Sequence, residues 1–366
     1  MIRKCDEIIE ILKRKILDCG AISLSEYMEI CLTHPKYGYY IRNTPIGAKG
    51  DFTTSPEISQ MFGELIGLWI AKVWIDHNKP DKFSLVELGP GNGTLMVDIL
   101  RATQMVDGLH SALDLILIDI SPNLQKIQKK ALKDFPVKWK TKISDLPSQP
   151  TIIVANEFFD ALPISQFKRK SNQWMEVMVT MKDPNTKDSD EFCFQLMKTN
   201  NKLFDDLEME NISEGDIIEF SKMMKDSVCY LSEHIQQNSG TALIIDYGKE
   251  GNVGNTLQSV QQHCYSNPLK CPGQMDLTSF VDFNAIRSYA EGFELIVPNL
   301  TCQRDFLKAL GIEQRAKILS RNLSGDKLGL HQTALERLIG KDSMGHLFKV
   351  LGLRSKNFPP LAGLEI

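Results

Sequence analysis

Residues 85–95, "LVELGPGNGTL", place three glycines at alternate positions directly behind an apolar run. Leu85 and Val86 followed by Gly89, Gly91 and Gly93 read as a strand entering a tight turn and then a helix. A dinucleotide fingerprint needs G-x-G-x-x-G, with backbone N–H groups and a helix N-terminus facing a pyrophosphate. Here Thr94 stands at the third glycine's place. Pro90 removes one N–H donor, and Glu87 sets a carboxylate beside the turn, where it would repel phosphate. The same features suit a phosphate-free ligand with a cationic end. S-adenosylmethionine is of that kind: its sulfonium and amino groups are positive, and glycines without Cβ let its methionine part approach the backbone.

The flanking sequence extends the pattern. Apolar runs "FSLVEL" (83–88), "LDLILIDI" (113–120), "VKWK" (137–140) and "TIIVAN" (151–156) alternate with helical stretches at 94–106 and 122–133. That alternation predicts a parallel sheet with crossover helices, an α/β class. Asp119 ends the second run, where an acid can accept from both ribose hydroxyls of an adenosine. It could instead cap the next helix, but Ser121 and Pro122 already supply a cap and a first-turn proline. Asp145 in "TKISDLP" is a candidate for the adenine.

Upstream, "GDFTTSPEISQMFGELIGLWIAKVW" (50–74) turns from small polar residues to a strongly helical pattern. Ser55 reads as the N-cap, Pro56 as the first helical residue and Glu57 as a favourable charge for the dipole. Capping needs only one of the clustered polar groups from Asp51 to Ser55, so that segment is expected to face a ligand. Downstream, "NEFFDALP" (156–163) places Asn156 and Glu157 at the carboxyl end of a central strand, the end that faces the crevice in open parallel sheets. Glu157 and Asp160, flanked by aromatics, suit a planar cation such as guanidinium, which stays charged and which a carboxylate can hold in a fixed plane. The plainer reading is that both acids cap the turn. Asp246 and Tyr247 end another buried run, "TALIID", and His263 in the following loop could accept a proton.

Hydrophobic residues make up 42% and charged residues 24% of the 366, with a net charge of −4. This is ordinary for a globular protein and gives no electrostatic footprint for nucleic acid. Eight cysteines lie scattered without a CxxC pair or metal-ligand spacing, as expected for reduced thiols. No apolar run reaches the roughly 18 residues of a membrane span. The amphipathic start, "MIRKCDEIIEILKRKILDCG", carries acids among its bases, unlike a secretory signal or an organellar presequence, which predicts a cytoplasmic protein.

After Pro163, "ISQFKRK", "QWMEVMVTM" and "EFCFQLM" suggest an antiparallel excursion from the sheet. A helical pattern covers about 216–237, and 249–273 reads as loop. Further helices are expected in "FNAIRSYAEG", "RDFLKALG" and "QTALERLIG".

Together, "GDFTTSPEISQMFGE", "VELGPGNGTLMVDILR", "NEFFDALP", "IDYG" and "PGQMDLTSFVDF" resemble the MidA-like family of S-adenosylmethionine-dependent methyltransferases, which includes the mitochondrial complex I assembly-factor arginine methyltransferases. The resemblance implies a Rossmann-like, seven-stranded class I methyltransferase sheet with an N-terminal helical region and α+β insertions. Residues 1–80 would form the helical region and contribute to the cofactor site. Residues 81–366 would form the methyltransferase domain, with insertions at about 164–235 and 249–340. It further implies a protein substrate, an arginine of the 49-kDa-type complex I subunit that becomes symmetrically dimethylated. By this resemblance Gly89, Gly91 and Gly93 would line the cofactor loop with Glu87 beside it, and Thr54, Ser55 and Pro56 would belong to the cofactor-facing entry. Family members commonly carry His where this chain has Phe280; if that His helps deprotonation, this chain relies on another base, such as His263, or methylates differently. A non-catalytic, cofactor-binding assembly chaperone and a small-molecule methyltransferase are the alternatives. Membrane insertion is not expected; a homodimer is left open. The expected compartment is the cytoplasm of a bacterium, or the mitochondrial matrix for a eukaryotic chain.

Overall fold

The structure is a computed structural model and describes residues 6–43, 47, 50, 52–171, 173–183, 191–199, 212–261 and 264–365. The chain forms two compact units, one of residues 44–160, 225–250 and 281–366, the other of residues 1–43, 161–224 and 251–280.

The first of these holds the glycine turn. Its sheet is built from β1 (Phe83–Leu88), β2 (Leu113–Ile118), β3 (Val137–Lys140), β4 (Thr151–Asn156), β5 (Gly240–Lys249), β6 (Thr301–Cys302) and β7 (Phe348–Arg354), in the order β6-β7-β5-β4-β1-β2-β3. Strands β3, β2, β1, β4 and β5 run parallel, and β7 runs antiparallel to both β5 and β6. A two-residue strand, Val281–Asp282, pairs with the end of β5. Every residue of β1 and β4 is buried, which is why these segments carry apolar residues on both faces instead of an apolar/polar alternation. The seven-stranded α/β architecture agrees with the sequence.

Strand periodicity decides what reaches the crevice. Phe83 and Leu85, Leu115 and Leu117, Ile152 and Val154, and Leu243 and Ile245 all enter one core with the helices α1 (Ser55–Ile58), α2 (Gln60–Asp76) and α3 (Thr94–Thr103). Successive side chains alternate between faces. The next positions on that face, at the carboxyl ends, are therefore Glu87, Asp119, Asn156 and Tyr247, while Asp246 falls on the opposite face.

The helix that follows the glycine turn is seated by close packing. A Cβ on Gly63 would lie 2.5 Å from Cβ of Asp98, and one on Gly67 would lie 3.0–3.1 Å from Ile99 and Ala102. Glycine four residues apart on α2 thus lets α3 approach its backbone. Glu64, between them, accepts from Arg101 of α3 and from Arg315 through two nitrogens at 2.8 and 3.0 Å.

In the other unit, strands Ile22–Ser23, Ser165–Lys170, Gln173–Met181, Phe192–Lys198 and Ile217–Phe220 form a five-stranded antiparallel sheet. The excursion after Pro163 is therefore a sheet of its own, with a small core of Phe167, Trp174 and Ile218. Residues 1–43, grouped by the sequence reading with 44–80, cluster with this sheet. The predicted helix at 216 begins later, as α4 (Lys222–Asn238), because residues 217–220 pair with 165–168 and Ser221 Oγ accepts from the N–H of Met224. Part of the predicted loop at 249–273 is β-structure: Gln258–Gln261 pairs with Cys264–Tyr265 and Asp276–Thr278. Among the described residues no helix is long and apolar enough to cross a membrane.

Replacing Gly67 by leucine should force α2 and α3 apart. A loss of about 1–3 kcal/mol is expected for such overpacking, read as a lower midpoint in denaturant unfolding; an unchanged midpoint would show that the close approach is dispensable.

Candidate active site

All three glycines of the turn adopt positive φ, 60° at Gly89, 53° at Gly91 and 83° at Gly93. Side chains rarely take that conformation. At Gly89 a Cβ would also come within 2.9 Å of the Phe158 ring. Gly93 caps α3, and its N–H donates to the carbonyl of Pro90 at 2.7 Å. Pro90, which supplies no donor of its own, thus provides the acceptor that closes the turn.

Helix Pro122–Ala131 fixes the far side of the loop through Gln128, which is fully buried. Its amide nitrogen donates to the carbonyl of Gly91 at 2.9 Å and to Oδ2 of Asp119 at 2.6 Å. Its amide oxygen accepts from the Trp139 indole at 2.9 Å. Asp119 Oδ1 accepts from the N–H of Ser121, while Ser121 Oγ caps the helix through Leu124 N–H. Burial pushes the Asp119 carboxyl up to about 6, with the Ser121 and Gln128 bonds pulling the other way. Sequence reasoning missed Gln128. The available signal was a glutamine four residues after Leu124, on the inward stripe of a lysine-rich helix.

Two acceptors on the crevice face lack donors. Oε2 of Glu87 and Oδ1 of Asn156 are buried without a hydrogen-bond partner. Glu87 is only 3% exposed, and burial first, then the nearby Asp119 charge, raises its carboxyl to about 8. Unsatisfied buried polar atoms are costly and point to a missing partner. With the left-handed glycine loop they fit a phosphate-free ligand that brings donors and positive charge.

Glu157 follows β4 at a φ of 52°, a strained conformation for a side chain of its size and one that gathers at functional sites. Its Oε1 accepts from the N–H of Ser55 at 2.8 Å and from Asn156 Nδ2 at 3.2 Å. Burial raises the Glu157 carboxyl, and the Ser55 N–H opposes that shift. The structure thus brings Asn156, Glu157 and Ser55 together. It also corrects the capping scheme: Thr54 is the N-cap of α1, Ser55 and Pro56 lie in its first turn, and Ser59 caps α2. Ser55 uses its backbone on Glu157, so it does not act as a cap.

Glu57 does more than complement a helix dipole. Its Oε1 accepts from Thr94 Oγ1 at 2.6 Å and Asn92 Nδ2 at 3.2 Å, tying α1 to the glycine loop. This link spans 37 residues and leaves no periodic signal in the sequence.

Asp246 is fully buried and receives the N–H groups of Phe158, Phe159, Asp160 and Tyr247. Burial, and then the Glu157 carboxylate, push it upward against those bonds. It organises the turn that carries Glu157 from behind the sheet. Asp160 is buried in that turn. Asp145 stands exposed at the end of the 3-10 turn Ile143–Asp145 that follows β3, apart from these contacts. His263 lies outside the described residues.

A family model described as "Putative S-adenosyl-L-methionine-dependent methyltransferase" matches residues 65–299. The chain is 34% identical over 368 residues to a Danio rerio protein named Protein arginine methyltransferase NDUFAF7, mitochondrial, covering 93% of this chain and 85% of that protein. The Homo sapiens protein of the same name is 35% identical over 329 residues, covering 83% of this chain and 73% of its own. A crystal structure of a COG1565 superfamily member from Burkholderia thailandensis, bound to S-adenosyl-homocysteine, superposes with a TM-score of 0.83 at 23% identity, covering 98% of this chain and 94% of that one.

Glu57→Ala should release the glycine loop and weaken cofactor binding by about tenfold, roughly the 1.5 kcal/mol of a charge-assisted hydrogen bond. Glu57→Gln, which keeps an acceptor for Thr94, should recover most of that loss in calorimetry. Equal affinity in all three proteins would leave the clamp without a role in binding.

Proposed function

The chain belongs to the family of S-adenosyl-L-methionine-dependent methyltransferases, and we propose that it methylates arginine in a protein, a 49-kDa-type subunit of respiratory complex I, adding two methyl groups symmetrically to assist assembly. The names of the NDUFAF7 relatives support the arginine, and the observation that carries this reading is the placement of Glu157. A strained, desolvated carboxylate stands at the carboxyl end of β4, locked by Ser55 N–H and Asn156 on the face that also presents Glu87 and Asp119.

Bound S-adenosylmethionine supplies an electrophilic methyl group. Gly89, Gly91, Gly93 and Glu87 would hold its methionine end, Asp119 its ribose and Asp145 its adenine, with Thr54, Ser55 and Pro56 closing the near side. Glu157 and Asn156 would orient the acceptor. A guanidinium is a poor nucleophile because its lone pairs are delocalised and its charge persists at any physiological pH. A carboxylate paired with one edge of it draws the charge toward that edge and fixes its plane, which is worth more in a dry site than in water. Asp160 would support the same loop. The transfer releases a proton, and His263 is assigned as its acceptor because Phe280 replaces the histidine common in the family. The compartment would follow the substrate: the mitochondrial matrix for a eukaryotic chain, the cytoplasm for a bacterial one.

Because the Glu157 carboxyl is raised, it ionises later than a free glutamate. Transfer should therefore increase with pH as that group deprotonates. Glu157→Gln should lower transfer about 10²-fold or more, in line with loss of a preorganised electrostatic group, with cofactor affinity nearly unchanged. The direct test incubates the protein with labelled cofactor and the complex I subunit, followed by mass spectrometry of its arginines. Absence of any added 14- or 28-dalton mass, roughly one or two methyl groups, would overturn the arginine reading.

A further inference from the structure

We infer that Glu87 is a charge gate for the methyl donor: it is protonated in the free protein and gives that proton to solvent when the cationic end of S-adenosylmethionine docks. This rests on the cofactor reading above and adds to it a selectivity for the charged donor over the neutral-sulfur product.

The geometry leaves few alternatives for this carboxyl. It is 3% exposed, and its Oε2 has no donor. Isolated ionised carboxylates are among the most expensive groups to bury, and they neutralise unless paired. The charged group that acts on Glu87 from β2 is Asp119, of like sign. From the end of β4, the Glu157 charge acts on Asp246 of β5. From α1, Glu57 is turned toward Thr94 and Asn92. Among the described residues no lysine or arginine contributes to the Glu87 charge state. The resulting value of about 8 keeps the group neutral at pH 7.

Strand alternation places Glu87 on the crevice face, two residues before Gly89, where a Cβ has no room beside Phe158. A ligand bringing positive charge to that loop supplies the missing counter-ion, so the O–H bond breaks heterolytically and the proton leaves to bulk water. After methyl transfer the ligand has lost its sulfonium charge. The ionised Glu87 is then less well compensated, which favours release of the product over retention.

Calorimetry of S-adenosylmethionine binding at pH 7, in two buffers of different ionisation enthalpy, should show about one proton released per ligand by the wild-type protein. The Kd should fall about tenfold per pH unit from roughly pH 6 to 8. Glu87→Gln, an isosteric neutral replacement, should lose that release and flatten the pH dependence. The ligand's own amino group, with a pKa of about 7.7–8.0, affects both proteins alike. The variant should also narrow the donor-to-product affinity ratio. Equal proton release by both proteins, with an unaltered ratio, overturns the gate while leaving the methyltransferase reading intact. No binding of the donor to the wild type would overturn both.

A ligand-free arm keeps the test independent of binding. A carboxyl raised in the folded state binds more protons than the unfolded chain between its two pKa values, so wild-type stability should fall as pH rises from about 5 to 8. Glu87→Gln should remove part of that slope; identical slopes overturn the protonated state.

Discussion

Four acids gather at the carboxyl ends of adjacent strands, and the cost of burying them is the constraint around which this site is built. Glu87, Asp119, Glu157 and Asp246 all have carboxyls raised above the ordinary range, each with burial as the leading cause. The fold compensates them unequally. Asp246 receives four backbone N–H groups, Asp119 one N–H and one amide, Glu157 one N–H and one amide, and Glu87 Oε2 nothing. Asp246 is thereby a structural acid, consumed in shaping the turn from 158 to 160. Glu87 is the opposite case, a buried carboxyl whose Oε2 meets no donor among the described residues.

The same bonds tie the glycine loop to the turn after β4. Glu57 binds α1 to the glycine loop, and Ser55 in that helix binds Glu157. Phe158, beside Glu157, packs where a Cβ on Gly89 would have to go. The loop and residues 157–158 are therefore linked by two routes, one hydrogen-bonded through the Glu157 carboxylate and one steric through Phe158. Gln128 completes the frame by holding Gly91, Asp119 and Trp139 with a single side chain. Hydrogen bonds in a low-dielectric surrounding are strong when satisfied and costly when broken, so such a frame holds the glycine loop and the end of β4 in place better than exposed loops could.

Local chemistry made much of this legible. The runs at 83–88 and 151–156 are strands buried along their whole length, where apolar residues occupy both faces; the run at 113–120 holds the strand Leu113–Ile118, and 137–140 is a strand that is only partly buried. The glycine spacing announced a tight turn between strand and helix, and the departure from G-x-G-x-x-G, with Pro90 and Glu87, argued against pyrophosphate. Where a segment's state depended on a distant partner, the reading slipped. Residues 217–220 are a strand only because 165–168 lie beside them, and the excursion after Pro163 forms a separate sheet because its partners include residues 22–23.

By itself the sequence determined the parallel sheet, the glycine turn and the acids at the strand ends, because hydrophobic period, glycine spacing and strand termini are local properties of the chain. Only the tertiary structure decided which acids are satisfied and which are not. Glu57 reaching Thr94, Gln128 reaching Asp119, Ser55 presenting its N–H to Glu157 and four amides enclosing Asp246 are contacts between residues far apart or on different elements. Burial and hydrogen-bond donors set the charge of a carboxyl, and both exist only after the chain has packed.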